Sequence, residues 1–285
     1  MTAVRQTDEF GRRYDRLSPL RRTTYSDDVL VPVGGGDLAV ALTGEGPPLL
    51  LLHGWTLDHR VWTPQMAELG SGHRLIMPDR RGFGRSSAPP DLSQECDDIN
   101  RIADALALDR FAVAGMSQAG VIALAYAIGN PHRLDALVTL GAPLTGTVPG
   151  SDRIDHERWS NMAHTGQLAA MKAEWSQHPL MQTRTPESQA LLRRIVADYR
   201  GLDFQNPSAL PSISVEQLRQ INVPMLALAG ANDSPWRQMV ARFLGNTISV
   251  GRSHLIGDAG HLANLCQPEK FNARVTEFLI DPRNN

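Results

Sequence analysis

Short runs of wholly apolar residues alternate along this chain with longer stretches whose apolar positions recur every three or four residues. Val29–Val33 and Leu38–Leu42 read as β-type runs joined by Gly34-Gly35-Gly36-Asp37, a composition suited to a hairpin turn. Leu49–Leu52 is apolar throughout, as expected of a strand buried on both faces. A helix-like stretch around Pro64–Leu69 leads to a strand at Arg74–Met77 that ends in PDRRGFGRSS. Within Asp97–Leu108, Ile99, Ile102, Ala103 and Leu106 fall at helical spacing. Phe111–Ala114 predicts a strand, Val121–Ile128 a helix, and Ala136–Leu140 and Val223–Ala229 further strands. A last strand near Ser253–Ile256 and a closing helix over Pro268–Leu279 complete the series. Strands alternating with helices in this way predict an α/β fold, a mostly parallel central sheet with helices on both faces.

The interval from Leu144 to Pro211 breaks the alternation. It holds helix-like segments at Asp155–Met162, Gln167–Gln177 and Pro186–Tyr199 without a convincing strand, so a helical insertion at 144–211 is expected between two halves of a core at 28–143 and 212–285. Residues 1–27 read as a polar arm, laid over the surface or over a partner subunit, which leaves a homo-oligomer open. Its arginine pairs, Arg12-Arg13 and Arg21-Arg22, lack the apolar segment of a twin-arginine export signal.

Composition narrows the function. The 285 residues are 42% hydrophobic and 20% charged, with a net charge of −2 and both signs mixed along the chain. That balance gives no electrostatic case for nucleic acid or a membrane surface, and the longest apolar run, Pro47–Leu52, is too short to span a bilayer. The two cysteines, Cys96 and Cys266, are far apart and form no metal-ligand spacing. They fit packing roles in a reducing, cytoplasmic setting. No metal or cofactor motif is present, and the expected partner is a small-molecule substrate.

The candidate chemistry begins at Gly115-Met116-Ser117-Gln118-Ala119-Gly120. This is close to the G-x-S-x-G turn that lifts a nucleophilic serine between a strand and a helix, with Ala119 in place of the second glycine. A serine hydroxyl needs a base and an oxyanion site before it can attack at neutral pH. The base expected is His261, in GDAGH after the last strand, and the acid that orients it is Asp233, at the end of VPMLALAGAND. Asp258 lies near His261 but is placed to shape the turn. All three candidates sit at C-terminal ends of strands, where such sheets gather their reactive groups. Oxyanion donors are expected from the backbone N–H of Gln118 and of Trp55, which follows His53-Gly54. His53 is expected to hold loop backbone, and Arg80 and Arg81 to make structural contacts. Met116, Trp159, Met162, Trp175 and Trp236 are candidates for an apolar substrate pocket.

These segments together resemble the α/β-hydrolase superfamily over roughly residues 28 to 282. LLHGWTLDHRVW, PDRRGFGRSSAP, VAGMSQAG, VPMLALAGAND and GDAGHLANLCQPEKF carry the resemblance. The pairing of HGW with PDRRGFGRSS is similar to the cofactor-free haloperoxidase or perhydrolase group and its arylesterase and lactonase relatives. Carbon–carbon bond hydrolases and enol-lactone hydrolases share much of the pattern. Ala119, Cys266 at a commonly acidic position, and the long N-terminal arm are departures. The resemblance implies that the 144–211 insertion caps the site, and that a Ser117–Asp233–His261 triad cleaves carboxylic esters or lactones through an acyl-enzyme. Perhydrolysis, carbon–carbon bond hydrolysis, and a ligand-binding receptor on the same scaffold stay open as alternatives.

Overall fold

Two antiparallel strands, β1 (Val29–Val33) and β2 (Gly36–Thr43), begin the main sheet. They turn through Gly34 and Gly35, with Val33 opposite Gly36, so the glycine run is a hairpin turn. The computed structural model describes residues 28–144 and 154–283, with two-residue strand segments at 6–7, 13–14 and 21–22. The expected polar arm therefore lies largely outside the described residues. Its Arg21–Arg22 segment pairs antiparallel with Leu30 and Val29 at the sheet edge.

Six further strands follow: β3 (Pro48–Leu52), β4 (Arg74–Pro78), β5 (Phe111–Met116), β6 (Leu134–Leu140), β7 (Met225–Gly230) and β8 (Gly251–Ile256). From the Arg21–Arg22 edge inward the order is β1, β2, β4, β3, β5, β6, β7, β8. Every pairing from β4 to β8 is parallel, and β2 meets β4 antiparallel. Phe111–Met116 and Met225–Gly230 are buried along their whole length, which is why these runs are apolar without alternation.

Helices cover both faces. The first, α1 (Thr63–Leu69), lies with α9 (Ala263–Cys266) and α10 (Pro268–Ile280) on one side. On the other lie α2 (Glu95–Ala105), α3 (Gln118–Gly129), α7 (Val215–Gln220) and α8 (Pro235–Thr247). Between β6 and α7 the described residues form α4 (His156–His164), α5 (Leu168–Gln177) and α6 (Pro186–Asp198), without a strand. Trp159, Met171 and Trp175 of these helices join the apolar cluster on the α1 side. The insertion thus extends the core over one end of the sheet. Among the described residues no helix is long and apolar enough to cross a membrane.

Two buried ion pairs fix the loop after β4. Arg80 Nε and Nη2 donate to Glu95 at 2.7 and 2.8 Å, and Arg81 Nε and Nη2 donate to Asp98 at 2.6 Å each. All four residues are buried. Burial pushes both carboxyls up from their ordinary range, and the facing guanidiniums oppose that rise. Both arginines therefore hold structure, as the sequence led us to expect. Removing one partner strands the other charge in the interior. Arg81→Met is expected to lower the unfolding free energy by about 3 to 5 kcal/mol. Adding Asp98→Leu should restore most of that loss, and urea unfolding of the single and double variants measures both.

Candidate active site

Ser117 occupies a sharp turn between β5 and α3. Its backbone lies at φ 52° and ψ −120°, a region that costs a non-glycine residue on the order of 1–3 kcal/mol. The turn persists because its flanks are fixed: Ser117 N–H donates to Leu140 O at 2.7 Å, and Gly120 N–H donates to Ser117 O at 2.8 Å. Gly115 faces the far side of the same turn, where a Cβ would lie 2.3 Å from Ala119 O. The constraint falls on the backbone of Ala119, and its methyl is accommodated in the core at 0% exposure. Glycine is needed at 115 and dispensable at 119.

His261 and Asp233 meet across two loops. The Nδ1 of His261 lies 3.0 Å from Asp233 Oδ2, with both residues buried. Ala231 N–H donates to Ile256 O, and Asn232 N–H to Ala259 O, each at 2.8 Å; these bonds tie the acid loop to the histidine loop. Asp233 Oδ1 accepts Ser234 N–H at 2.8 Å. Burial raises the Asp233 carboxyl, but His261, Arg237 and the Ser234 N–H together outweigh it and hold the group below its usual range. Gly141, at φ 58°, follows β6 next to the imidazole, where a Cβ would come within 2.7 Å of the ring. Asp258 sits apart in its turn at φ 60° and pairs with Lys270 at 3.2 Å.

The loop after β3 closes over the serine. Gly54 approaches so nearly that a Cβ there would lie 3.3 Å from Ser117 Cβ. The backbone N–H of Trp55 has no hydrogen-bond partner among the described residues. Gln118 opens α3, so its N–H lacks an intrahelical acceptor. The Gln118 side chain accepts from Arg80 Nη2 at 3.0 Å. The insertion also grips the loop: Trp175 Nε1 donates to Thr56 Oγ1 at 2.6 Å, and Thr56 Oγ1 donates to Trp55 O at 2.7 Å.

Ser117, His261, Gly54 and Trp55 line one small cavity of about 20 Å³, with Ile154, Leu180 and Met181 among its walls. Of the five expected pocket residues, Met116 and Trp175 line it. Trp159 does not; it stacks behind Trp55 with ring centroids 6.0 Å apart. Met162 packs in the same apolar cluster. Trp236 belongs elsewhere, because α8 carries it onto the cluster of the opposite sheet face and against Arg237. A larger chamber of about 400 Å³ adjoins Trp55 and Gln118. Asp58, His59 and Asp79 cluster nearby, but their carboxylates accept N–H donors from His59, Arg60 and Arg85 and fasten the loop.

The chain belongs to the alpha/beta hydrolase fold family, whose sequence profile matches residues 47–268. It is 28% identical over 245 residues to 3-oxoadipate enol-lactonase 1 of Acinetobacter baylyi, covering 83% of this chain and 91% of that protein. It is also 28% identical over 273 residues to 2-hydroxy-6-oxo-2,4-heptadienoate hydrolase of Pseudomonas putida, covering 88% and 95%. Its backbone superposes on a thermophilic esterase from Thermogutta terrifontis with a TM-score of 0.77 at 24% identity, over 91% of this chain and 100% of that one.

Beneath the site, His53 is fully buried, with Nδ1 2.8 Å from Gly54 O and Nε2 accepting Arg80 N–H at 2.9 Å. Burial, reinforced by the Arg80 charge, lowers its pKa to about 4. The neutral ring is the one the fold holds, so its stabilising contribution is complete above the unfolded value of 6.5 and declines as pH falls toward 4. We expect up to about 3 kcal/mol of stability to be lost across that window from this group. Urea unfolding at pH 7 and pH 5 should show the decline in the parent protein and a flatter dependence in His53→Gln.

Proposed function

We propose that this protein is a serine hydrolase that cleaves neutral carboxylic esters or lactones through an acyl-enzyme. One observation carries the reading: a strained serine and His261, whose ring is backed by the buried Asp233, face the same small cavity as Trp55. Asp233 Oδ2 accepts the Nδ1 proton of His261 and leaves Nε2 unprotonated toward the serine. As Ser117 Oγ attacks the carbonyl carbon, Nε2 takes the hydroxyl proton. The carbonyl oxygen becomes an oxyanion that the N–H groups of Trp55 and Gln118 stabilise. Collapse of the tetrahedral species expels the alkoxide, which takes the proton from His261. Water then attacks the acyl carbon, His261 accepts its proton and returns it to Ser117, and the carboxylic acid leaves.

Charge favours neutral substrates over carboxylate-bearing ones. Apart from His156 and His261, the one basic side chain in the described walls of the two cavities is Arg81, which Asp98 already occupies. Asp91, Glu157 and Asp203 add negative groups to the larger chamber. The relatives carry an oxoadipate lactone and a heptadienoate in their names, whereas the described lining offers a carboxylate no unpaired arginine or lysine.

In assays with p-nitrophenyl esters, Ser117→Ala is expected to lower kcat by at least about a thousandfold. Near-parental turnover in that variant would refute the scheme. With the parent protein, a p-nitrophenyl hemisuccinate should show kcat/KM about tenfold below that of the neutral butyrate, from like-charge repulsion. Equal or higher kcat/KM for the hemisuccinate would overturn the charge assignment.

A further inference from the structure

The cavity at Ser117 measures about 20 Å³, room for roughly one water molecule. The acyl and alcohol portions of an ester do not fit there. The chamber of about 400 Å³ falls within the ordinary size of ligand pockets, about 300–1,000 Å³. Of the residues that line the cavity at Ser117, Trp55 also lines the larger chamber.

What holds that side chain is specific. Trp55 Nε1 donates to Asp203 Oδ2 at 2.6 Å, a contact between residues 148 positions apart. The other carboxylate oxygen, Oδ1, accepts the Tyr199 hydroxyl at 2.6 Å. Asp203 lies in a single 3₁₀ turn, Leu202–Phe204, entered through Gly201 at φ 67°. Phe204 and Tyr199 meet the indole edge-on at 5.9 and 6.3 Å, and Trp175 packs tilted at 5.1 Å. Asp203 itself is part of the chamber wall.

We propose that Asp203 is a positioning residue whose hold on the Trp55 indole keeps the nucleophile's cavity apart from the larger chamber. Release of that hold joins the two spaces, and the chamber then receives the alkyl or aryl group of a neutral ester. The aromatic and aliphatic walls fit such a group: Phe83, Leu92, Phe204 and Leu210. Its charged walls are either paired, as at Arg81 and Glu95, or acidic. This assignment rests on Ser117 being the nucleophile, and it adds a selection by size that the triad alone does not give.

The test compares kcat/KM for p-nitrophenyl acetate and p-nitrophenyl octanoate in the parent protein, Asp203→Ala, Asp203→Asn and Trp55→Phe. Asp203→Ala should raise the octanoate-to-acetate ratio about tenfold, because the indole is no longer held. Asp203→Asn should stay near the parental ratio, since an amide oxygen accepts the indole N–H. Trp55→Phe removes the donor and should raise the ratio as Asp203→Ala does, which provides the test if Asp203→Ala fails to fold. A ratio unchanged in both Asp203→Ala and Trp55→Phe overturns the proposal, even if both rates fall, because a purely structural defect lowers both substrates together. Loss of turnover in Ser117→Ala with an unchanged ratio rejects the partition alone. Retained turnover in Ser117→Ala rejects the nucleophile instead.

Discussion

The site depends on one strained residue. Ser117 is held at positive φ at the end of a strand buried in the middle of the sheet, and the cost is borne by the packing around it. Its neighbours follow from that constraint. Gly115 makes room for the carbonyl of Ala119, Gly54 lets the next loop approach the serine, and Gly120 lies where a Cβ would meet Ala142 at 2.6 Å. The parallel strands on either side then bring loops of distant sequence to the same end of the sheet. Asp233 follows β7, His261 follows β8 and Trp55 follows β3. A one-residue slip in any of these strands would turn its residues to the opposite face, so the site's geometry is a property of the sheet.

A second dependence runs between the insertion and the core. Trp55 carries the oxyanion N–H in the proposed mechanism, and its carbonyl and indole are both held by residues of the 144–211 interval. Trp175 acts through Thr56, and Asp203 acts directly. Movement of these helices relative to the sheet would therefore alter both the oxyanion loop and the space open to a substrate. In the proposed mechanism, selectivity lies in the loop and insertion, while the chemistry lies in the sheet.

Much of this architecture was legible along the chain. Seven of the eight longer strands were visible as mostly apolar runs, and β8, with Arg252, Ser253 and His254, only over its last residues; Ser117, Asp233 and His261 stood out because each follows an expected strand. Three helices were not recognised, among them the four-residue α9, too short to show a period. In α8, Arg237 shares the buried face with Val240, Ala241 and Leu244 and breaks its apolar pattern, although Ser234 caps the helix and Pro235 occupies its first turn. The six-residue α7 is too short to show a period and rests on a capping box between Ser214 and Gln217. Arg237 was missed along with α8. It donates to Gly141 O next to His261 and acts on the Asp233 charge. Asp203 carried no local signal, because its partner Trp55 is distant in sequence. Trp159, Met162 and Trp236 were all plausible pocket residues by type, but an apolar type does not reveal which face of a helix it will occupy.

The central claim is that Ser117 becomes acylated during turnover. The most direct measurement is rapid acid quenching of the protein during reaction with p-nitrophenyl acetate, followed by peptide mapping by mass spectrometry. The account predicts one acetyl group on the peptide containing Ser117, located on its hydroxyl, appearing with the burst of p-nitrophenol and absent after turnover is complete. Acetyl on another residue that forms and decays at the rate of turnover, with Ser117 unmodified throughout, would contradict it.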